Sequence, residues 1–161
     1  MGPKKQQAPP EPEPVVVVVA APEPVEVHVR KGTGTFLFPN GSSYSGSWLQ
    51  SSGASSPRVR HGPGTYKNGP ETTTGMWEND VVVGRGKAEF AGGAVYEGEF
   101  SKGVYDGEGR YGWADGCSYE GGWSEGKMHG EGTYTDKDNV KFEGKFFNGK
   151  YDNGRAYVHL R

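Results

Sequence analysis

One cysteine, Cys117, stands in the whole 161-residue chain, which rules out an intramolecular disulfide framework. Histidine is also sparse. His28, His61, His129 and His159 are scattered, and none has a second histidine, cysteine or carboxylate at metal-site spacing. Charge of one sign is missing too, because 18 basic and 20 acidic residues leave a formal net charge of −2. Such a balance offers no general field for nucleic acid or an anionic membrane. Long apolar runs are absent: the longest, Val15 to Ala21, falls far below the roughly 20 residues that span a bilayer. With no secretory pattern at the start, a reducing, cytoplasmic compartment is the expectation. Only 32% of the residues are hydrophobic, so a deep aliphatic core is not expected.

Glycine and aromatic residues are what the chain has instead, with 28 glycines and 12% aromatics. They are distributed periodically. Gly84–Asp106, Gly107–His129 and Gly130–Asp152 are three copies of one unit, each opening on Gly-x-Gly and continuing to aromatic-x-Gly-x-aromatic. Repeats of this length stack into arrays, each burying its neighbour's apolar face. Tyr96, Gly98 and Phe100 share a phase with Tyr119, Gly121 and Trp123, and with Phe142, Gly144 and Phe146. Alternation of period two places each triplet on one face of a strand, so each unit reads as a hairpin.

Earlier hairpins follow the same plan. Gly32–Trp48 matches fully, with Asn40-Gly41 supplying the turn, whereas Gly62–Trp77 is degenerate because Thr73 stands where a ring is expected. Gly103, Gly126 and Gly149 are placed to turn the chain into the next hairpin. Past Phe146, Asn153 and Arg155 fall on the two glycine phases while Tyr157 keeps the ring phase, as in a terminal half-repeat. The pattern predicts eleven strands in an all-β, elongated single-layer antiparallel sheet. In the expected register Trp113 faces Tyr119, Tyr111 faces Gly121 and Gly109 faces Trp123 across a loop of Ala114–Ser118, setting rings against glycines.

The ends and insertions differ in composition. Residues 1–24 hold seven of the eleven prolines, with Glu11, Glu13 and Glu23 between them, and read as an extended tail. Within it Val15, Val16, Val17, Val18 and Val19 form a run suited to strand addition on a partner or on the chain's own sheet. The array is expected over 25–161, with Val25, Val27 and Val29 alternating as a covering strand and His159 and Arg161 as edge charges. Seven residues are inserted between Leu49 and His61, in a Ser/Gly-rich loop carrying Arg58 and Arg60. A plain surface loop and a basic partner contact both fit. Val81, Val82 and Val83 read either as a contact surface or as a patch covered by the loop or tail.

No catalytic constellation emerges. The Gly-x-Gly pairs lack the Lys-Ser/Thr ending and following helix of a phosphate loop, Cys117 has no base partner, and the basic residues near the rings are offset by acids. Neither an enzyme, a cofactor, a metal nor nucleic-acid binding is expected.

From Tyr119-Glu-Gly-Gly-Trp123 through His129-Gly-Glu-Gly132 to Tyr134, the chain resembles the MORN repeat, over approximately Gly32–Tyr157. The resemblance implies an elongated sheet of tandem hairpins used in scaffolding, and the short, repeat-only form is similar to axonemal and sperm-flagellar members of the family. What it implies for this chain is a scaffold or adaptor in a ciliary or flagellar axonemal assembly, with cytoskeletal protein partners. A membrane-associated adaptor that contacts phosphoinositides through Arg58 and Arg60 is the alternative. Two roles stand open for Tyr96, Tyr119 and Phe142: lining a groove for a partner segment, or packing only against adjacent repeats.

Overall fold

The computed structural model describes residues 29–51 and 56–158. They form a single antiparallel sheet of eleven strands in strict chain order. The strands are β1 (Arg30–Leu37), β2 (Ser43–Gln50), β3 (Val59–Asn68), β4 (Glu71–Glu78), β5 (Val81–Glu89) and β6 (Val95–Ser101). They continue as β7 (Val104–Gly112), β8 (Ser118–Ser124), β9 (Lys127–Thr135), β10 (Lys141–Phe147) and β11 (Lys150–Tyr157). At a strand spacing of about 4.8 Å the ribbon is roughly 50 Å long. Strand number and the single layer agree with the sequence pattern.

A row of glycines crosses the entire sheet. Cross-strand pairing links Gly34, Gly46, Gly64, Gly75 and Gly86 in unbroken succession. It carries on through Gly98, Gly109, Gly121, Gly132, Gly144 and Gly154. Beside it runs a second row in which Phe36, Tyr44, Tyr66, Thr73, Ala88, Tyr96, Tyr111, Tyr119, Tyr134, Phe142 and Ala156 stand opposite one another. Rings therefore meet rings and glycines meet glycines. This corrects the expected register by two residues: Tyr111 pairs with Tyr119, Gly109 with Gly121, and only Gly107 with Trp123. Faces are unchanged by a slide of two, so the alternating pattern could not distinguish the registers.

The glycine row exists because tyrosine rings lie across it. A Cβ at Gly64, Gly109 or Gly132 would run into the ring of Tyr44, Tyr96 or Tyr119 respectively. Each ring thus leans from its own strand over a glycine of the next. Its hydroxyl donates to the carbonyl three residues on, Ser47 (2.8 Å), Glu99 (2.8 Å) and Gly122 (3.0 Å). Those three residues sit where the ladder to the following strand is irregular and have no register partner there. The bulge frees a carbonyl and the tyrosine satisfies it. Trp77 and Trp123 donate from Nε1 to Gly64 O and Gly109 O, both at 3.0 Å.

Two kinds of turn close the ribbon's two long edges. On one edge, Phe38–Ser42, Phe90–Ala94, Trp113–Cys117 and Asp136–Val140 are each closed by paired backbone hydrogen bonds of 2.9–3.1 Å. Their fourth residue is left-handed, with φ of 84° at Gly41, 85° at Gly93, 93° at Gly116 and 61° at Asn139. On the other edge, Asn79-Asp80, Lys102-Gly103, Glu125-Gly126 and Asn148-Gly149 have positive φ at both positions, the two-residue geometry that matches strand twist. These tight turns also tie repeats together. Gly103, Gly126 and Gly149 donate to Val82 O, Tyr105 O and Met128 O of the preceding unit at 3.1, 2.8 and 2.9 Å.

The opposite face carries threonines and charges such as Lys87, Glu97, Arg110, Glu120 and Lys145, and pairs them loosely at the surface. The end of the array corrects another expectation. Gly154, not Asn153 or Arg155, holds the glycine position, because the irregularity beside Phe146 leaves three positions from Tyr151 to Gly154 where Tyr105 to Gly109 and Met128 to Gly132 span four. Val82 is buried opposite Trp77, within the sheet's own ring face. Val25, Val27, His159, Arg161 and the Val15–Val19 run lie outside the described residues.

Candidate functional site

Burial on the ring face is uneven: the tyrosines that lie over the glycine row are sealed, while Phe36, Tyr66, Phe90, Tyr111, Trp113 and Tyr134 are only partly buried. Tyr44, Tyr96 and Tyr119 have no accessible surface at all. Tyr96 stacks on Tyr105 with ring centroids 3.8 Å apart and meets Phe100 and Trp123 edge-on. Burial drives the Tyr119 hydroxyl pKa up to about 12, and that of Tyr96 higher still. Of the two roles the sequence left open, Tyr96 and Tyr119 take the packing one, since a fully covered ring touches no partner. Phe142 is half-buried between Tyr134 and Tyr151.

In the first two hairpins a cleft of about 720 Å³ is lined by Phe36, Phe38, Pro39, Asn40, Ser42, Tyr44, Trp48, Arg58, Val59, Arg60, Tyr66 and Asp80. A single change of residue type creates it. The position that follows each tight turn on the ring face holds Val82, Tyr105, Met128 and Tyr151, paired with Trp77, Phe100, Trp123 and Phe146. In the first such pair the place belongs to Arg60, opposite Trp48. A guanidinium cannot be buried there without partners.

Arg60 finds them in aromatic faces and in Asp80. Its Cζ lies 4.3 Å from the Trp77 centroid and 5.1 Å from that of Tyr66. Nε donates to Asp80 Oδ1 at 3.0 Å, and Nη2 to Asp80 O at 2.8 Å. The Arg60 backbone takes part as well: its N–H donates to Asp80 Oδ1 at 2.8 Å, and its carbonyl accepts from Asp80 N at 3.0 Å. This last bond is the first of the inter-repeat series.

Arg58 is held differently. Its Cζ sits 4.5 Å over Trp48 and 5.9 Å over Phe36, and no carboxylate of the described residues pairs with it. Both arginines foreseen as a loop projection thus lie against rings at the mouth of β3. Phe36, Phe38, Trp48, Tyr66 and Asp80 complete the cleft and were not foreseen. The signal for them was the arginine on an apolar phase of a strand.

Elsewhere the surface offers little. A recess of about 290 Å³, with Thr73, Val82 and Ala88 in its wall, marks the lapse in the ring row. His61 Nδ1 is buried without a hydrogen-bond partner among the described residues. His129 packs on Phe147, and Cys117 is buried in its turn. Among the described residues no three His, Cys, Asp or Glu side chains cluster to hold a metal ion, and no helix is long and apolar enough to cross a membrane.

The MORN repeat family model matches residues 28–43, 96–118 and 119–141. Over these segments the chain is similar to the MORN repeat, and the glycine row runs on through the hairpins between and beyond them. A search of curated proteins returns no match.

Proposed function

We propose that this chain is a protein-binding scaffold or adaptor of a ciliary or flagellar axonemal assembly, which it joins through its extended sheet, the loop before β3 and the N-terminal tail. One observation carries the scaffold reading: eleven strands are paired in chain order into one ribbon, with an aromatic and basic cleft in its first two hairpins. A ribbon of this kind holds other molecules at fixed separation, and repeat arrays bind along extended surfaces. The axonemal setting and the cytoskeletal localisation rest on the resemblance to short, repeat-only MORN proteins.

The test is a tagged full-length chain expressed in ciliated cells. Retention in detergent-extracted axonemes and cross-links to axonemal proteins are expected, whereas a diffuse signal lost on extraction overturns the assignment. Salt-sensitive binding to anionic vesicles, abolished in the double variant Arg58→Gln and Arg60→Gln, would favour the membrane adaptor instead. Arg60 is already committed to Asp80 and two rings, which weighs against that outcome.

A further inference from the structure

The cleft between the first hairpins has a chemistry that restricts what fills it. Its floor is the face of a sheet, where backbone N–H and C=O groups are paired within the ladder. An occupant therefore gains no backbone hydrogen bonds there, and one that needed them would bury them unsatisfied. The cation sites over the rings are already taken, by Arg58 over Trp48 and by Arg60 over Trp77. A second cation is excluded by repulsion. What remains favourable is apolar surface against Phe36, Phe38 and Tyr66, together with a carboxylate for Arg58.

An acidic proline-rich segment in the polyproline conformation meets each condition. It lacks most backbone donors, its rings pack on aromatic faces, and it carries its own negative charge. The chain contains such a segment. Pro9-Pro10-Glu11-Pro12-Glu13-Pro14 has four prolines and two glutamates in six residues and lies upstream of β1. Six residues in this conformation span roughly 19 Å. The cleft is lined by Phe36 and Phe38 on the side of β1 and reaches across to Trp48, Arg58 and Tyr66.

We infer that Pro9–Pro14 docks in the cleft of its own chain, with Pro9 and Pro12 against the rings of Phe36, Phe38 and Tyr66 and Glu11 or Glu13 on the Arg58 guanidinium. Residues 15–29 connect this run to Arg30. Fifteen residues reach at most about 50 Å when fully extended, enough to bring the run to the cleft, and the covalent tether makes the encounter intramolecular. Any partner that uses the cleft must then displace the tail. This holds whatever assembly the chain serves.

The test uses the purified full chain carrying Ala8→Cys and Cys117→Ser, with a nitroxide on the single thiol at position 8 and uniform nitrogen-15 labelling. The second substitution is mild because Ser42 fills the matching place in the first hairpin's turn. Paramagnetic broadening is expected at the amides of Phe36, Phe38, Trp48 and Tyr66 and not at Trp113 to Tyr134, several strands away. Glu11→Lys with Glu13→Lys, which leaves the sheet's own sequence untouched, should abolish it. Adding Arg58→Glu to that pair should restore it. Broadening that is absent, spread evenly over the array, or unaffected by the glutamate substitutions overturns the inference. So does broadening seen only when a spin-labelled chain is mixed with a separate nitrogen-15 chain, which would assign the cleft to another copy's tail. Because this experiment reads only the free chain, its failure leaves the scaffold reading intact.

Discussion

Substituting Gly109 by alanine isolates the contact that sets the register. The added Cβ would lie 2.7 Å from Cε2 and from Cζ of Tyr96, and closer still to its hydroxyl. Tyr96 cannot yield, because it is wholly buried against Tyr105, Phe100 and Trp123 and its hydroxyl is bonded to Glu99 O. The φ of Gly109 is not in the left-handed region, so the backbone itself accepts alanine and the penalty is one of packing alone. Overpacking costs about 1–3 kcal/mol, and a rigid aromatic wall puts this site toward the top of that range. The gain from removing a strand glycine offsets roughly 0.5–1 kcal/mol, so the net loss is about 2 kcal/mol.

Gly112, three residues along β7, is the internal control. It also has ordinary φ, but nothing lies within 4 Å of the place a Cβ would take. Gly112→Ala should therefore keep the offsetting gain without the clash. The two variants should differ by about 3 kcal/mol, or roughly 6–12 °C in melting midpoint at about 2–4 °C per kcal/mol for a chain of this size. Thermal unfolding followed by far-ultraviolet circular dichroism and tryptophan fluorescence reads the difference. Adding Tyr96→Phe to Gly109→Ala should recover only part of the loss, since the two ring carbons remain in the way. If Gly109→Ala melts at or above Gly112→Ala, the tyrosine-over-glycine lock is not what fixes the pairing.

Three further outcomes follow from the same geometry. Burial raises the tyrosine pKa at Tyr105 and Tyr119 to about 12, above the value near 10 of the unfolded chain. The stability linked to these protons is then complete below about pH 10 and is lost as pH climbs toward 12, so phenolate absorbance should rise together with unfolding. Ionisation near pH 10 with the sheet intact would contradict this. Glu125, at φ 49° in a tight turn, occupies the place that Asn148 holds in the next one, and Glu125→Asn should raise the unfolding free energy by a few tenths of a kcal/mol, read as a higher thermal midpoint. Asp80→Ala strips Arg60 of its charge partner and two side-chain acceptor bonds, which should cost about 1–2 kcal/mol and shift the tryptophan emission as Trp77 is uncovered. An unchanged unfolding curve would show that the aromatic faces alone hold the guanidinium.

Periodicity made the strand number, the tandem hairpins and the turning role of Gly103, Gly126 and Gly149 legible in advance. Register was not legible, since a slide of two residues keeps every side chain on its face. The deciding interaction, Tyr96 over Gly109, joins residues of different repeats and leaves no mark in the phases of either strand. Counting also failed past Phe146, where the shorter step from Tyr151 put Gly154 one place from where the spacing indicated. The cleft was half legible. Arg58 and Arg60 stood out by charge, but their stacking on Trp48 and Trp77 depends on β3 pairing directly with β2 and β4 despite the intervening insertion.

The accessibility of the ring face follows from what a buried tyrosine requires. It needs a glycine ahead of it on its own strand, a second glycine on the next strand, and a bulge carbonyl within reach of its hydroxyl. Tyr44, Tyr96 and Tyr119 have all three, and all three are sealed. In β4 the ring is replaced by Thr73, and Phe100 covers Gly86 instead, which leaves the shallow recess beside Ala88. In β10 Phe142 has no hydroxyl to anchor it, and Tyr151 of β11 takes over the glycine row while remaining 39% exposed. At the other end no strand is described before β1, and Phe36 and Phe38 line the cleft beside Tyr66 and Arg58. The lock that makes the ribbon continuous thus seals Tyr44, Tyr96 and Tyr119, while the rings beside them, Tyr66, Tyr111, Trp113 and Tyr134 among them, stay partly open.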